Sequence, residues 1–384
     1  MSVAREQFGS RLGFILAAAG SAVGIGNLVG FPVAAAKNGG AAFLLIYALF
    51  VFLVCLPIMM AELSMGRHSQ KDPLGAYRDL SNGSSLWSLA GWLVLITPYM
   101  IAVFYMVITV WLCGYLFETA SGNLDQLANP DNFGRFINSN SVFLYFIVVA
   151  ALVNLILIGG VKDGIERAAK IMMPALFVML IALVIFVLTL DNAWLGVQYY
   201  LVPDFSKINA GVINSALSQA FFSLSLGMGI MITYGSYIGR DEKIVGSAKI
   251  VALTDTGVAF AAGLMILPAI FSFNPTINTA ELSDSSVSLI FTFLPKIFLA
   301  LQTTIGYLAA SIAASLFFLL VFFAAMVYPP QKNLRLGKDL RGGVTLLYSV
   351  KIDRSENASR VLDQVIQVLK DRINEHRTPG QQEF

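Results

Sequence analysis

Charge is what this sequence has least of. Asp, Glu, Lys and Arg supply 12% of its 384 residues, about half the share in soluble domains. So few charges cannot coat a core built from a chain that is 57% hydrophobic, which excludes a soluble globule, a disordered chain and a coiled coil. Cysteine is almost missing as well. Cys55 and Cys113 each sit in an apolar run, where buried inert thiols are expected, and a disulfide-stapled scaffold is excluded. A net charge of +2 offers no footing for nucleic acid. The chain shows no nucleophile beside a base, no metal-ligating cluster and no phosphate loop, so an enzyme is the least favoured class. His68 falls in a polar loop segment and is read as solvated.

What is plentiful is apolar sequence in long runs, with a mean hydropathy of +0.74. Stretches near spanning length occur at about 12–35, 41–65, 87–117, 141–160, 168–190, 212–238, 247–272 and 299–327, which predicts an all-α integral membrane protein with about eight transmembrane helices. The polar N-terminus leads straight into a segment of full spanning length, too long for a cleaved signal. Basic residues follow the second span (Arg67, Lys71, Arg78) and the fourth (Lys162, Arg167, Lys170), whereas the segments after the third and fifth are acidic on balance. Basic loops belong inside, so the N-terminus and, after an even number of spans, the tail are expected to be cytoplasmic. Residues 331–384 carry 17 of the chain's charges, and the density there rises from about 9% to about 31%. Tyr328-Pro329-Pro330 ends the last helical run, giving a membrane domain over 1–328 and a small soluble αβ piece over 329–384.

Two spans depart from a uniform apolar helix. The first reads AAAGSAVGIGNLVGFP from Ala17 to Pro32, and the sixth reads FFSLSLGMG from Phe221 to Gly229. Small residues that let helices pack closely are one reading of either segment. Taken together they point to broken helices, because freed backbone groups survive in a bilayer only where they face protein or a wet cavity. Half-helix N-termini there would face an anion and unwound carbonyls a cation. Asp255, within the seventh span, costs about 3 kcal/mol at mid-membrane and so needs a cation, a donor or a proton. A neutral Asp bonded to Thr254 or Thr256 is the structural alternative. Glu62 stands close to the basic loop and is expected to snorkel to the membrane face or pair with that loop.

Four segments, Arg11–Tyr47, Pro57–Arg67, Lys162–Phe177 and Gln219–Tyr237, resemble in order the neurotransmitter:sodium symporters, particularly their bacterial amino-acid carriers. The resemblance runs from about residue 5 to about residue 325. It implies an inverted-repeat transporter fold of two five-helix halves, here incomplete because the second half stops after three helices. It also implies one sodium ion held by the Ala22 carbonyl, Asn27, Ser223 and Asp255. The charge of Asp255 would replace a bound chloride, so chloride independence is expected. Substrate contacts implied are Ser21, Ala22, Ile25 and Gly26 on the first span, Ile101 and Tyr105 on the third, and Phe222, Ser223, Ser225 and Met228 on the sixth. Tyr105 would donate to a substrate carboxylate, and the apolar members would surround a neutral or aromatic amino-acid side chain.

Some positions depart from the family pattern. Gly30 stands where an outer-gate arginine is usual. A second sodium site resembles Gly20, Val23 and Ala324, but Val327 and Tyr328 replace the hydroxyl residues expected after it. Arg5 looks like an inner-gate arginine whose acidic partner would lie beyond the point of divergence. The tail, with NLRLGKDLRGGVTLLYSV at Asn333–Val350, resembles the start of a SecD-type protein-export subunit, a domain that belongs outside the membrane. The sidedness conflict makes a chimera or an inert truncated product an alternative to a natural fusion. A bacterial inner membrane follows from both resemblances, and oligomeric state is left open.

Overall fold

The computed structural model describes residues 8–24, 26–158, 166–239, 241–277, 279 and 286–327. Two units, Met1–Arg335 and Leu336–Phe384, divide the chain, and the expected αβ tail lies outside the described residues. Among the described residues every regular element is helical.

Helix α1 (Arg11–Ala22) starts on Ser10, whose side chain accepts from the Gly13 N–H at 3.0 Å, and it ends on extended Val23. A π-helical turn, Gly26–Gly30, then feeds α2 (Phe31–Lys37), which has a proline in its first turn. The axis bends by 55° between these halves. Gly39 and Gly40 have φ of +84° and +57°, a left-handed pair that turns the chain into the second span. That span joins α3 (Ala41–Phe50), one π turn and α4 (Leu56–Ser69) into 29 continuous residues, about 44 Å of helix and ample for a bilayer. A short amphipathic helix, α5 (Pro73–Leu80), capped by Asp72, leads to α6 (Ser85–Ala120), the longest helix.

Two short helices, α7 (Leu124–Leu127) and α8 (Pro130–Ile137), precede α9 (Ser141–Ile158), with a 71° bend at the last junction. The fifth span is α10 (Arg167–Val187), and α11 (Ala193–Leu201) follows it. The sixth is divided between α12 (Ala210–Ser223) and α13 (Ile230–Gly235). In the gap Ser225, Gly227 and Gly229 take φ of +56°, +73° and +69°. Left-handed backbone suits the glycines but costs a residue such as Ser about 1–2 kcal/mol, so the break is held by its surroundings. Next come α14 (Ile244–Phe273), α15 (Ser286–Ile305) and α16 (Tyr307–Val327).

Helix α14 is the hub, packing on α1, α2, α4, α10 and α11, while α16 lies along α6 and α12 along α3. The expected eighth span needs correction. The run 299–327 is not one helix: Gly306, at φ +84°, separates α15 from α16. Apolar composition carries straight through a turn that a single left-handed glycine makes, so hydropathy merged the two. Four helices among the described residues are long and apolar enough to cross a membrane, with two further bent pairs.

Candidate functional site

The breaks in the first and sixth spans meet beside α14, and Asp255 stands at the junction. It is fully buried. Asn27 Nδ2 donates to Asp255 Oδ1 at 2.7 Å and to the Asp255 carbonyl at 3.1 Å. Ser223 Oγ donates to Oδ2 at 2.8 Å, and the Tyr47 hydroxyl reaches the same oxygen at 3.4 Å. The hydroxyls that serve this carboxylate therefore come from α3 and α12, not from the neighbouring Thr254 or Thr256. No Lys or Arg is among these partners. A buried carboxylate with only neutral donors is an expensive arrangement until a cation joins it.

Around this centre the structure gathers most of the expected substrate residues. Ser21, Ala22, Ser223, Ser225 and Met228 are all buried. Ser225 Oγ donates to the Ser21 carbonyl at 3.4 Å, tying the two breaks together, while Ser21 Oγ is buried and makes no hydrogen bond. Open space lies beside both breaks, because a Cβ placed on Gly24 or on Gly227 would meet no atom within 4 Å. Tyr105, on α6, faces Phe222 with ring centroids 6.2 Å apart, and Gly26 is close to both rings. Ile101 lies one turn before Tyr105 and is half-buried against the core. Ile25 and Arg5 are outside the described residues. Gly20 packs on Met173 and Ala169, and α1 touches α16, the helix that carries Ala324.

Gly30 leaves room that the Gln219 amide approaches, and Gln219 Nε2 donates to the Gly26 carbonyl at 3.3 Å. Gln219 and Tyr47 border this candidate site, and the sequence did not single them out. Glu62 corrects an expectation. It neither snorkels nor pairs with the basic loop; it is buried, and its Oε1 accepts the Gly227 N–H of the sixth-span break at 2.7 Å. The cause is close packing of α4 on α13, where a Cβ on Gly66 would overlap the Ile232 carbonyl and one on Gly235 the Leu63 carbonyl. A signal was present, since Glu62, Gly66 and Ser69 share one helix face of small and polar residues.

Comparison with known proteins agrees with this geometry. The model of the sodium:neurotransmitter symporter family matches residues 5–129 and 137–328. The chain is 38% identical to the uncharacterized sodium-dependent transporter YhdH of Bacillus subtilis over 318 residues, 81% of this chain and 69% of that protein. An uncharacterized sodium-dependent transporter of Haemophilus influenzae is 33% identical, over 84% of this chain and 70% of its own. Among solved structures, MhsT in complex with L-phenylalanine superposes with a TM-score of 0.75 at 41% identity, covering 84% of this chain and 72% of MhsT. The chain thus spans about seven tenths of these relatives, and the family match ends at residue 328. With a family match over most of its length and a broken-helix site around a buried carboxylate, this chain belongs to the sodium:neurotransmitter symporter family.

Proposed function

We propose that this membrane domain binds sodium together with a neutral or aromatic amino acid at the paired breaks, as the binding half of a sodium-coupled symporter. The observation that carries the reading is Asp255, buried and surrounded by Asn27, Ser223 and Tyr47 with no cationic side chain among those partners. Sodium supplies the missing charge. Its ligands would be the Ala22 carbonyl, the Asn27 carboxamide, Ser223 and Asp255, an all-oxygen set suited to a hard cation. Asn27 presents its NH2 to Asp255 here. Carboxamide oxygen and nitrogen exchange places by rotation about one bond, so an ion beside Asp255 would meet the Asn27 oxygen.

The substrate would lie in the space beside Gly24 and Gly227. Its carboxylate would face the Tyr105 hydroxyl and the backbone at Gly26, and its side chain would face Ile101, Phe222 and Met228. Ser21, Ala22 and Ser225 would meet its ammonium group. That MhsT was crystallised with L-phenylalanine makes aromatic amino acids the first to try. The fixed charge of Asp255 makes chloride unnecessary. A second ion at Gly20, Val23 and Ala324 would lack the hydroxyl ligands that Val327 and Tyr328 replace. The positive-inside rule applied to the basic loops supports a cytoplasmic N-terminus, and a bacterial inner membrane is the setting proposed.

The test is thermal stability of the purified full chain in detergent, titrated with L-phenylalanine and other amino acids in sodium or in choline chloride. At 100 times Kd a ligand stabilises the folded state by about 2.7 kcal/mol. Stabilisation in sodium alone is expected, and equal stabilisation in choline would refute the coupling. Sodium gluconate in place of the chloride is expected to give the same result.

A further inference from the structure

Helix α1 is hinged at one end, where the chain bends by 55° past Val23. Its other end is held by a residue that neither the ion site nor the substrate site uses. We propose that Glu166, just before α10, is the latch that keeps the inner half of the first span closed, acting as a positioning residue for the release of ion and substrate to the cytoplasm.

The carboxylate is 2% exposed. Its Oε2 accepts the Gly9 N–H at 2.8 Å, its Oε1 accepts the Ser10 hydroxyl at 3.1 Å, and Lys170 Nζ lies 2.6 Å from the same oxygen. Two of the three donors thus come from the start of α1 and one from α10. Ser10 is also the N-cap of α1, so Glu166 sits against the positive end of that helix's dipole and binds the residue that starts it. Space for the carboxylate is provided by Gly13, where an added Cβ would overlap Glu166 itself. Burial alone would raise the pKa of Glu166, but Lys170, the Gly9 N–H and the Ser10 hydroxyl outweigh it and hold the group below its ordinary value. The latch is therefore charged at neutral pH. Charge-assisted hydrogen bonds are roughly twice as strong as neutral ones, and burial shields them from salt.

Other contacts at this end are weaker. Arg11 lies 3.1 Å from Glu242, but its side chain is 49% exposed. Phe8 stacks on Tyr234 at 5.9 Å and its N–H reaches the Tyr237 carbonyl at 3.3 Å. Among the described residues, Glu166 supplies the hydrogen bonds that tie the start of α1 to the start of α10. Swinging the rod away from α10 about its hinge would uncover the face formed by Gly13, Ala17 and Gly20, which now meets Glu166, Ala169 and Met173.

The functional consequence rests on the transport reading, but the test does not. Hydrogen–deuterium exchange of the full chain, without substrate, would follow the peptide covering residues 9–20. A cysteine at Ala17, which is fully buried, would be followed by its rate of reaction with a thiol reagent, against the buried background of Cys55 and Cys113. Glu166→Gln keeps the shape and removes the charge, and it is expected to raise both rates about tenfold. Glu166→Asp should recover part of the protection, and Gly13→Ala, which displaces the carboxylate, should reproduce the loss. Peptides from α6 and α16 should not change. Parental rates in Glu166→Gln, or a rise shared equally by α6 and α16, would overturn the latch. Failure of sodium-dependent stabilisation, with the latch behaviour intact, would instead count against the transport reading alone.

Discussion

Replacing Asp255 by Asn separates ion binding from folding. The substitution keeps the volume and removes one charge from a buried cluster. Of its three side-chain partners, two are hydroxyls, Ser223 at 2.8 Å and Tyr47 at 3.4 Å, which can rotate from donating to accepting. The Asn27 amide at 2.7 Å still finds a carbonyl oxygen. Folding stability without sodium should therefore change by only about 1 kcal/mol, the scale of one neutral hydrogen bond. Sodium binding should suffer far more. At an effective dielectric of about 20, a unit charge about 3 Å from the ion contributes roughly 5 kcal/mol before desolvation is subtracted. Losing even half of that weakens sodium binding about 70-fold, at 1.4 kcal/mol per tenfold. Asp255→Ala is different, because it removes the side-chain acceptor of Asn27 and leaves that amide only the backbone carbonyl of residue 255, which adds about 1–3 kcal/mol of instability. The assay is the melting temperature of the purified chain against sodium concentration. Should the sodium midpoint of Asp255→Asn stay within twofold of the parent, the carboxylate is not an ion ligand and the sodium assignment fails.

Other outcomes follow from the same geometry. Tyr105→Phe removes the donor proposed for the substrate carboxylate, so amino-acid affinity by isothermal titration should fall about 10-fold to 100-fold while the sodium midpoint holds. Gly66→Ala drives a methyl group into the Ile232 carbonyl and should cost about 3 kcal/mol or more, seen as a lowered melting temperature and poor yield from detergent. Glu62→Leu leaves the Gly227 N–H of the break without its acceptor and should destabilise by about 1–3 kcal/mol, whereas Glu62→Gln, which still accepts, should cost less. Because Glu166 is held below its ordinary carboxylate pKa, its stabilising contribution is complete above about pH 4.5 and is lost as the pH falls through its lowered folded-state value. Protection of residues 9–20, referred to the intrinsic amide exchange rate at each pH, should accordingly fall only in acid, and Glu166→Gln should abolish that fall.

Composition and spacing made the helical membrane class legible because both follow from local rules. A bilayer demands about 20 apolar residues per span, and the clusters Gly24-Ile25-Gly26 and Ser225-Leu226-Gly227 mark where a helix cannot be regular. Asp255 announced itself by cost alone, since a carboxylate in such a run must have a partner. Partner identity was not local. Ser223, 32 residues from Asp255, was named through the family resemblance, but Tyr47, 208 residues away, had no sequence signature separating it from an ordinary core Tyr. Glu62 was misread for the same reason, because nearness to Arg67 along the chain says nothing of the backbone N–H that α13 brings to it. Gly306 shows the converse case, in which one residue's left-handed φ divided a run that hydropathy read as a single span. Hydrophobicity and helix periodicity act within a few turns, so the sequence by itself determined which segments are helical, where helices break and that Asp255 needs a cation, a donor or a proton. That the Tyr47 hydroxyl and the Asn27 amide converge on that charge, and that Glu166 meets the start of the first helix, depended on contacts between residues more than 150 positions apart, and only packing of the tertiary structure decided them.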